Sequence, residues 1–286
     1  MAQSNVAICG LVRDCAENLE IMVPKVENLG TAFGSYRVIV VENDSTDETG
    51  KVARRWSRDN PKVEAIQFCF LPPEHPARQV RSARENSKDG WFGRERIERI
   101  AFARNRYLDA LAGDPSLDYV IVIDLDIRSF SVTGVAQSFG LADDWDIVTA
   151  NGKRYSKRHP LRPSVYWDAY AFEPLSGFID GKQTADQIRA CQLDVARKLS
   201  ESQSLLSAKS AFGGLGIYRA ELLADHRYAV LDNHDPDVPV LCEHHSLHRS
   251  IRSGTNARIC INPGQTVDYG SAMQLARYSL RSALRK

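Results

Sequence analysis

The segment Tyr119-Val-Ile-Val-Ile-Asp-Leu-Asp126 decides which fold the rest of the chain is expected to adopt. Its apolar run predicts a buried strand, and side chains two positions apart on a strand point the same way, so Asp124 and Asp126 should face one side. Paired carboxylates repel each other unless a cation neutralises them, and such oxygen ligands suit Mg²⁺ or Mn²⁺. Asp also ends many ordinary strands, so the surrounding chain has to distinguish the two interpretations.

Strands and helices alternate up to this segment. Hydrophobic periodicity predicts strands over 5–12, 36–41, 62–71 and 118–124, and helices over 15–29 and 94–111, with a further helix starting at Ser45 or Thr46. This alternation is typical of a parallel, doubly wound α/β sheet with crossover helices on both faces.

The second half is less regular. Strands are predicted over 146–150, 210–219 and 258–261, helices over 184–204 and within 238–251, and a turn at Asn262-Pro-Gly264. No linker marks a domain boundary, so we expect one continuous domain in which residues 1–127 bind a nucleotide and residues 128–286 bind an acceptor.

Composition excludes several classes of protein. The formal net charge of +1 gives no basic field for nucleic acid. The six cysteines form no Cys-x-x-Cys pair and several lie in apolar runs, which favours reduced thiols and a cytoplasmic protein. No apolar run is long enough for a membrane span, and the N-terminus lacks the features of a signal peptide. Residues 271–286 predict a basic amphipathic helix, which either docks on the domain or contacts an anionic membrane peripherally.

The end of the second predicted strand is a candidate ligand site. Glu42 and Asp44 lie at the carboxyl edge of the sheet, where open α/β folds bind ligands, and their carboxylates can accept hydrogen bonds from a ribose or a base amine. A plain strand-to-helix connection would use the same residue types.

Taken in order, these segments resemble a known family. Val40-Val-Glu-Asn-Asp-Ser-Thr-Asp-Glu-Thr49 is similar to the Val-x-Asp-Asp-x-Ser-x-Asp-x-Thr segment of GT-A glycosyltransferases, and Ala103-Arg-Asn105 and Ile123-Asp-Leu-Asp126 follow at suitable spacing. The resemblance implies a GT-A fold, with a Rossmann-like, mostly parallel nucleotide-binding sheet and an acceptor-side C-terminal half. In that half, Tyr166-Trp-Asp168, Phe212–Tyr218 and Cys242–His248 resemble the cryptococcal-type α-1,3-mannosyltransferase group and its bacterial relatives.

The resemblance also implies roles for individual residues. Glu42 and Asp44 would hold the base and ribose, although Glu42-Asn43 replaces the commoner Asp-Asp and leaves the base open. The remaining roles are diphosphate binding by Arg104, donor and metal binding by Asp124, metal binding by Asp126, a channel lined by Gly213 and Gly214, and a position near the reacting carbon for Glu243.

The aromatic segment around Asp168 adds a further candidate. A carboxylate between aromatic residues needs a partner or a task, so Asp168 is a second catalytic candidate. Trp167 and Tyr166 either stack on a sugar ring or belong to the core.

The histidines after Glu243 permit several interpretations. His244 and His248 lie four apart, a spacing that places them on one helix face and can hold a metal. We expect one histidine, His248 in the first instance, to complete the catalytic metal shell. Ordinary hydrogen-bonded histidines are the alternative, and a structural zinc site lacks a nearby second pair of ligands.

The expected function is metal-dependent transfer of a hexose, with mannose favoured, from a nucleotide diphosphate sugar to a glycan or glycolipid. Retention of configuration fits the mannosyltransferase resemblance. The alternatives are a haloacid-dehalogenase-like phosphatase that uses Asp124 and Asp126, a nucleotidyltransferase, and a non-catalytic carbohydrate-binding module. The phosphatase family places its Asp-x-Asp on the first strand, and a nucleotidyltransferase needs more glycines after the first strand than Gly10 alone.

Overall fold

The computed structural model describes residues 1–70, 90–155 and 164–269. The helices in these ranges are α1 (Ala16–Gly30), α2 (Thr49–Asp59), α3 (Arg94–Leu111), α4 (Val132–Gly140), α5 (Ala185–Glu201) and α6 (Glu243–Gly254). The strands are β1 (Asn5–Val12), β2 (Ser35–Asn43), β3 (Val63–Phe68), β4 (Tyr119–Ile123), β5 (Ser129–Phe130), β6 (Ile147–Arg154), β7 (Val165–Tyr166), β8 (Leu206–Ala208), β9 (Leu215–Arg219) and β10 (Ile259–Tyr269).

The ten strands form one sheet in the order β3-β2-β1-β4-β9-β6-β10-β5, with β7 beside β6 and β8 beside β10. Strands β3, β2, β1 and β4 are mutually parallel, with Val6 opposite Tyr36 on one side and Tyr119 on the other. Strand β9 runs antiparallel to both β4 and β6, and β10 returns parallel to β6. The sequence-based prediction of a mostly parallel α/β sheet is confirmed.

The sheet is covered by hydrophobic residues on both faces. One core contains residues of α1, α2 and α4, including Leu19, Trp56 and Val135. The other contains residues of α3, α5 and α6, including Tyr107 and Leu247. Burying apolar strands between two helical layers is what the long runs of Val and Ile require, and it leaves the carboxyl ends of the strands for ligands.

Two local predictions are wrong. Helix α2 begins at Thr49 rather than at Ser45 or Thr46, because the Ser45 amide donates to Glu42 Oε1 (2.9 Å) and the Thr46 amide donates to Asp14 Oδ1 (2.7 Å). The predicted turn at 262–264 lies inside β10 as a register shift between Asn262 and Thr266. The shift accommodates Pro and Gly without ending the strand.

No helix among residues 1–70, 90–155 and 164–269 is long and apolar enough to cross a membrane. The predicted basic helix over 271–286 lies outside the described residues.

Candidate functional site

A cleft of about 560 Å³ opens at the carboxyl ends of β1, β2 and β4. Helices α3 and α6, the segment after β7 and the end of β10 also line this cleft. The predicted residues on its surface are Arg104, Asp124, Asp126, Asp168 and Glu243, together with Asn43, Trp167 and His244. The position agrees with the rule that open α/β sheets bind ligands at this edge.

The acid pair lies directly after β4, where the strand ends at Ile123. Asp124 is fixed on three sides: its amide donates to Gly214 O (2.9 Å), Tyr269 Oη donates to Oδ2 (2.6 Å), and Arg104 Nη2 lies 3.5 Å from Oδ1. Burial raises the pKa of Asp124, and Arg104 opposes that rise. The first acid of the pair is therefore held rigidly by the chain itself.

Asp126 differs from Asp124 in being exposed to solvent within the cleft. Its carboxylate accepts no side-chain or amide hydrogen bond from another part of the described chain, whereas Asn18 donates to its backbone oxygen. Enclosure by the cleft walls, and then the neighbouring Asp124 charge, raise the pKa of Asp126 to about 7. An unpaired carboxylate beside a second acid is the arrangement that a divalent cation relieves.

Arg104 and Glu243 form a buried ion pair at the back of the cleft. Arg104 comes from the middle of α3, Glu243 is the first residue of α6, and Nε donates to Oε1 over 2.9 Å. Both side chains are almost inaccessible to solvent. Arg104 Nη1 is buried and has no hydrogen-bond partner in the described ranges. A buried guanidinium with an unused donor favours an anionic ligand such as a diphosphate.

Asp168 faces the same cleft from the loop after β7. Its Oδ2 accepts a hydrogen bond from the Gly213 amide (3.2 Å). Burial, followed by the charges of Asp124 and Glu243, raises the pKa of Asp168 to about 7. A carboxylate that titrates near neutrality is suited to general acid–base chemistry.

Gly213 and Gly214 occupy the left-handed region of backbone space, with φ of +68° and +89°. A Cβ at Gly213 would lie 2.0 Å from Ala150 O, and one at Gly214 would lie 2.3 Å from Tyr269 Oη. Close packing against Ala150 and Tyr269 therefore requires both glycines, and their role in lining a sugar channel stays a prediction.

Glu42 and Asp44 point away from the cleft surface, to which only Asn43 of this segment contributes. Glu42 accepts from the Ser45 amide and from Gln67 Nε2 (3.0 Å). Asp44 accepts from the Phe70 amide (3.1 Å) and has a φ of +50°. Both carboxylates bind the protein's own groups here, so their role toward a base and ribose stays a prediction.

His248 is buried away from the cleft surface. Its Nδ1 is 2.9 Å from Ser210 Oγ and its Nε2 is 3.1 Å from Tyr218 Oη. Burial lowers the pKa of His248 to about 3. Since both ring nitrogens are engaged, neither is available to a cation in this arrangement, and the expected histidine ligand finds no support here. His245 is also buried, with Nε2 2.8 Å from Tyr170 O.

Several cleft residues were not predicted as site residues. Arg13 lies directly after β1, and its buried Nε and Nη2 have no hydrogen-bond partner within the described chain. Its position at the carboxyl end of a parallel strand is a signal that the sequence contains. Tyr269, Trp91 and Arg96 also line the cleft, with the Arg96 guanidinium 4.0 Å from the Trp91 ring centroid. Nothing in their local sequence indicates this placement.

Of the two aromatic residues before Asp168, Tyr166 belongs to the core and Trp167 lies where it could stack on a sugar. Tyr166 is a core residue, 1% exposed. Trp167 lines the cleft, with its ring 5.1 Å from that of Tyr269 and the Arg154 guanidinium 4.6 Å from its centroid. Trp167 can therefore meet a ligand and Tyr166 cannot.

A divalent cation fits the acid pair. No group of three or more His, Cys, Asp or Glu side chains in the described parts of the chain forms a complete metal site. Mg²⁺ and Mn²⁺ do not need one, because they bind through one or two carboxylates and take further ligands from substrate phosphates and water. Asp126 supplies the free carboxylate, and Asp124 lies beside it.

The comparisons with known proteins bear on the fold. No protein-family model matches the sequence, and no curated protein matches it. Mannosyltransferase PcManGT from Pyrobaculum calidifontis, solved in complex with GDP-Man and Mn²⁺, has a TM-score of 0.52 and 14% identity over 100% of this chain and 66% of that chain. S. aureus TarS 1-349 has a TM-score of 0.49 and 13% identity over 98% of this chain and 64% of that chain. The chain thus spans slightly less than two thirds of the length of these two structures.

Proposed function

We propose that the protein is a metal-dependent glycosyltransferase that transfers a hexose from a nucleotide diphosphate sugar to a glycan or glycolipid. One observation carries the proposal: Arg104, Asp124, Asp126, Asp168 and Glu243, which come from separate parts of the sequence, line a single cleft at the carboxyl edge of the sheet. A phosphatase of the haloacid-dehalogenase kind would have its acid pair on the first strand, whereas here it follows β4.

The diphosphate of the donor would lie beside Arg104 and the acid pair, which already contact each other through Arg104 and Asp124. Arg104 Nη1 offers the unused donor, and the ion pair with Glu243 keeps the guanidinium oriented. Arg13, whose Nε lies 3.6 Å from Asp14 Oδ2, offers two further nitrogens without a hydrogen-bond partner in the described ranges on the same cleft. The leaving diphosphate gains negative charge in the transition state. Positive groups already in position there stabilise that charge and so lower the barrier to glycosyl transfer.

Asp126, assisted by Asp124, would hold Mn²⁺ or Mg²⁺. When bound, such an ion neutralises charge on the departing diphosphate as a Lewis acid. Tyr269 and Arg104 hold Asp124 so that the pair presents its oxygens to the cleft without rearrangement.

The two remaining carboxylates, Glu243 and Asp168, differ in how well they are suited to accept a proton. Glu243 is engaged on both oxygens, with Arg104 Nε on Oε1 and Cys242 Sγ on Oε2 (3.3 Å). Asp168 receives one hydrogen bond from Gly213, and its pKa lies near 7. We infer that Asp168 takes the proton of the acceptor hydroxyl, while Glu243 orients Arg104 and faces the sugar. An inverted anomeric configuration in the product would support this assignment. With retention, which the mannosyltransferase resemblance favours, the departing phosphate oxygen would take the proton of the acceptor hydroxyl instead of Asp168.

The donor is best sought first among GDP sugars. PcManGT shares the fold and was solved with GDP-Man and Mn²⁺, and the second-half motifs resemble mannosyltransferases. Mannose is therefore the first hexose to test.

The acceptor would find a flat stacking surface on the ring of Trp167, which lines the cleft.

A thermal-shift screen of GDP, UDP, CMP and dTDP sugars with and without Mn²⁺ tests the proposal. A ligand at 100 times its Kd stabilises the folded state by about 2.7 kcal/mol. We expect a GDP sugar to raise Tm only when Mn²⁺ is present, and Asp126→Asn to abolish the rise. The exposed Asp143, outside the cleft, provides the matched control Asp143→Asn. Sugar binding that is indifferent to EDTA identifies a carbohydrate-binding module instead, and phosphate release from an aryl phosphate identifies a phosphatase.

A further inference from the structure

His244 is a buried polar side chain with no hydrogen-bond partner among the described residues. Its side chain is 1% exposed, and neither Nδ1 nor Nε2 makes a hydrogen bond there. Leaving buried polar atoms unpaired costs about 1–3 kcal/mol for each group, so native proteins seldom do so without a reason. His248 and His245 each make at least one such bond, and so differ from His244.

The packing around His244 holds its ring firmly. The ring stacks on Phe212 with a centroid distance of 4.0 Å and an interplanar angle of 21°, and it meets the edge of Tyr228 at 5.5 Å. Phe212 and His244 both line the cleft. A ring fixed in this way presents its nitrogens in a set direction, as recognition of a ligand requires.

The imidazole is also held in its neutral form. Burial, followed by the charges of Arg104, His248 and His245, lowers its pKa well below the ordinary value. A neutral imidazole has one nitrogen that donates and one that accepts, which is the same pairing that a hydroxyl group offers. Toward a phosphate the neutral ring would offer one donor and no positive charge, so its pairing suits a hydroxyl better.

The position of His244 indicates which part of a donor it would meet. His244 Nε2 is 3.7 Å from Glu243 Oε1, which in turn accepts from Arg104. Arg104 lies against Asp124, where the diphosphate is proposed to bind. The group covalently attached to the terminal phosphate is the sugar, so the sugar is the part of the donor that would lie beside Glu243 and His244.

We propose that His244 hydrogen-bonds a hydroxyl of the transferred hexose and thereby determines which sugar the enzyme accepts. This inference rests on the proposed function and goes beyond it by assigning a specificity-determining residue. Filling the pocket with the correct sugar would satisfy the unpaired nitrogen, whereas a sugar without that hydroxyl would leave it buried and unpaired. Sites of this kind reject the deoxy analogue strongly.

The test compares donors in which each hexose hydroxyl in turn is replaced by hydrogen, using the full chain with Mn²⁺. For the wild type, we expect kcat/KM to fall at least about tenfold for one position, the amount expected when a buried hydrogen bond is lost. In His244→Phe, which keeps an aromatic ring on Phe212, the ratio of natural to deoxy donor at that position should fall to near one. His244→Gln, which retains a donor and an acceptor, should restore part of the discrimination. His226→Phe, an exchange away from the cleft, should leave it unchanged.

Each result separates the two proposals. If the wild type uses none of the donors, the proposed function fails and this inference fails with it. If the wild type is active and His244→Phe discriminates between the same donors as before, the inference alone is overturned. It is equally overturned if His244→Phe changes discrimination only between deoxy acceptors. Should His244→Phe not fold, the ¹⁵N resonances of the His244 ring in the wild type decide: they should shift with the natural donor and not with the critical deoxy donor.

Discussion

Two acidic segments follow strands that flank β1 in the sheet: the closed segment, Glu42–Asp44, at the end of β2, and the open segment, Asp124–Asp126, after β4. Their acids differ in burial and in hydrogen bonding. At the end of β2, Glu42 and Asp44 are buried and accept hydrogen bonds from Ser45, Gln67 and Phe70. After β4, Asp126 is exposed in the cleft, and its carboxylate has no partner within the described chain. Both segments carry acids at the ligand-binding edge of the sheet. The acids of the closed segment accept hydrogen bonds from the protein, whereas Asp126 of the open segment is free to bind a ligand.

The difference separates acids that hold the loop together from acids that await a ligand. A buried carboxylate that accepts amide hydrogen bonds stabilises the folded chain, because the amides would otherwise be unpaired. A carboxylate set beside another acid destabilises it until a cation arrives. Substitutions in the two segments should therefore have opposite signatures, one in stability and the other in catalysis.

The largest effect is expected at Asp126. Asp126→Asn removes a charge from the proposed metal site and should lower kcat by about 10³–10⁴-fold, or about 4–5.5 kcal/mol of barrier. Steady-state kinetics with the donor found by the screen measures this, with Asp143→Asn as control. Turnover of the variant within tenfold of the wild type would remove Asp126 from the mechanism and erase the contrast between the segments.

The next effect concerns the ion pair that supports the open segment. Arg104→Ala leaves Glu243 buried and unpaired, and breaking a buried pair in this way costs about 3–5 kcal/mol. We expect the low end, about 3 kcal/mol, because Glu243 lines the cleft, and removal of the Arg104 side chain would open its carboxylate to water. Urea unfolding provides the measurement. The double substitution Arg104→Met with Glu243→Leu removes both charges and should recover most of the lost stability while remaining inactive.

A smaller effect is expected in the closed segment. Glu42→Gln keeps one oxygen for the Ser45 amide but turns an NH₂ group toward Gln67 Nε2, and should cost about 1–2 kcal/mol of stability. The Kd of the nucleotide, measured by calorimetry under conditions where the variant is folded, should stay within about threefold of the wild type. A nucleotide affinity weakened tenfold or more, with little change in stability, would instead support the role that the GT-A resemblance implies for Glu42.

The sequence predicts the first half of the fold better than the second. Strand β1 and helix α3 match their predicted bounds, because their apolar periodicity agrees with their burial. Beyond Asp126 the sheet alternates direction, and short strands such as β5, β7 and β8 are stabilised by distant neighbours rather than by local pattern. Helix α4 was not predicted, because it is only nine residues long and gives a short periodic pattern.

For the site, the residue types were predictable and their hydrogen-bond partners were not. Asp124, Asp126, Arg104, Asp168 and Glu243 were chosen from sequence and line one cleft. No local pattern indicates that the carboxylates of Glu42 and Asp44 turn inward, or that His248 lies between Ser210 and Tyr218. Most of those contacts, such as Glu42–Gln67, Asp44–Phe70 and His248–Ser210, join residues far apart in the sequence.

The smallest expected effect is a pH dependence confined to the open segment. The pKa of Asp126 is raised from 3.8 to about 7, so its favourable contribution is present below about pH 4 and is lost as the pH rises through about 7. Because the side chain is exposed, solvent screening should keep the effect below about 1 kcal/mol. In EDTA, Asp126→Asn should therefore be stabilised relative to the wild type more at pH 8 than at pH 5. Urea unfolding at both values measures this, and Mn²⁺ at pH 8 should stabilise the wild type and not the variant. An equal difference at the two pH values would show that Asp126 does not titrate near neutrality, and that repulsion within the acid pair is not what prepares the site for a cation.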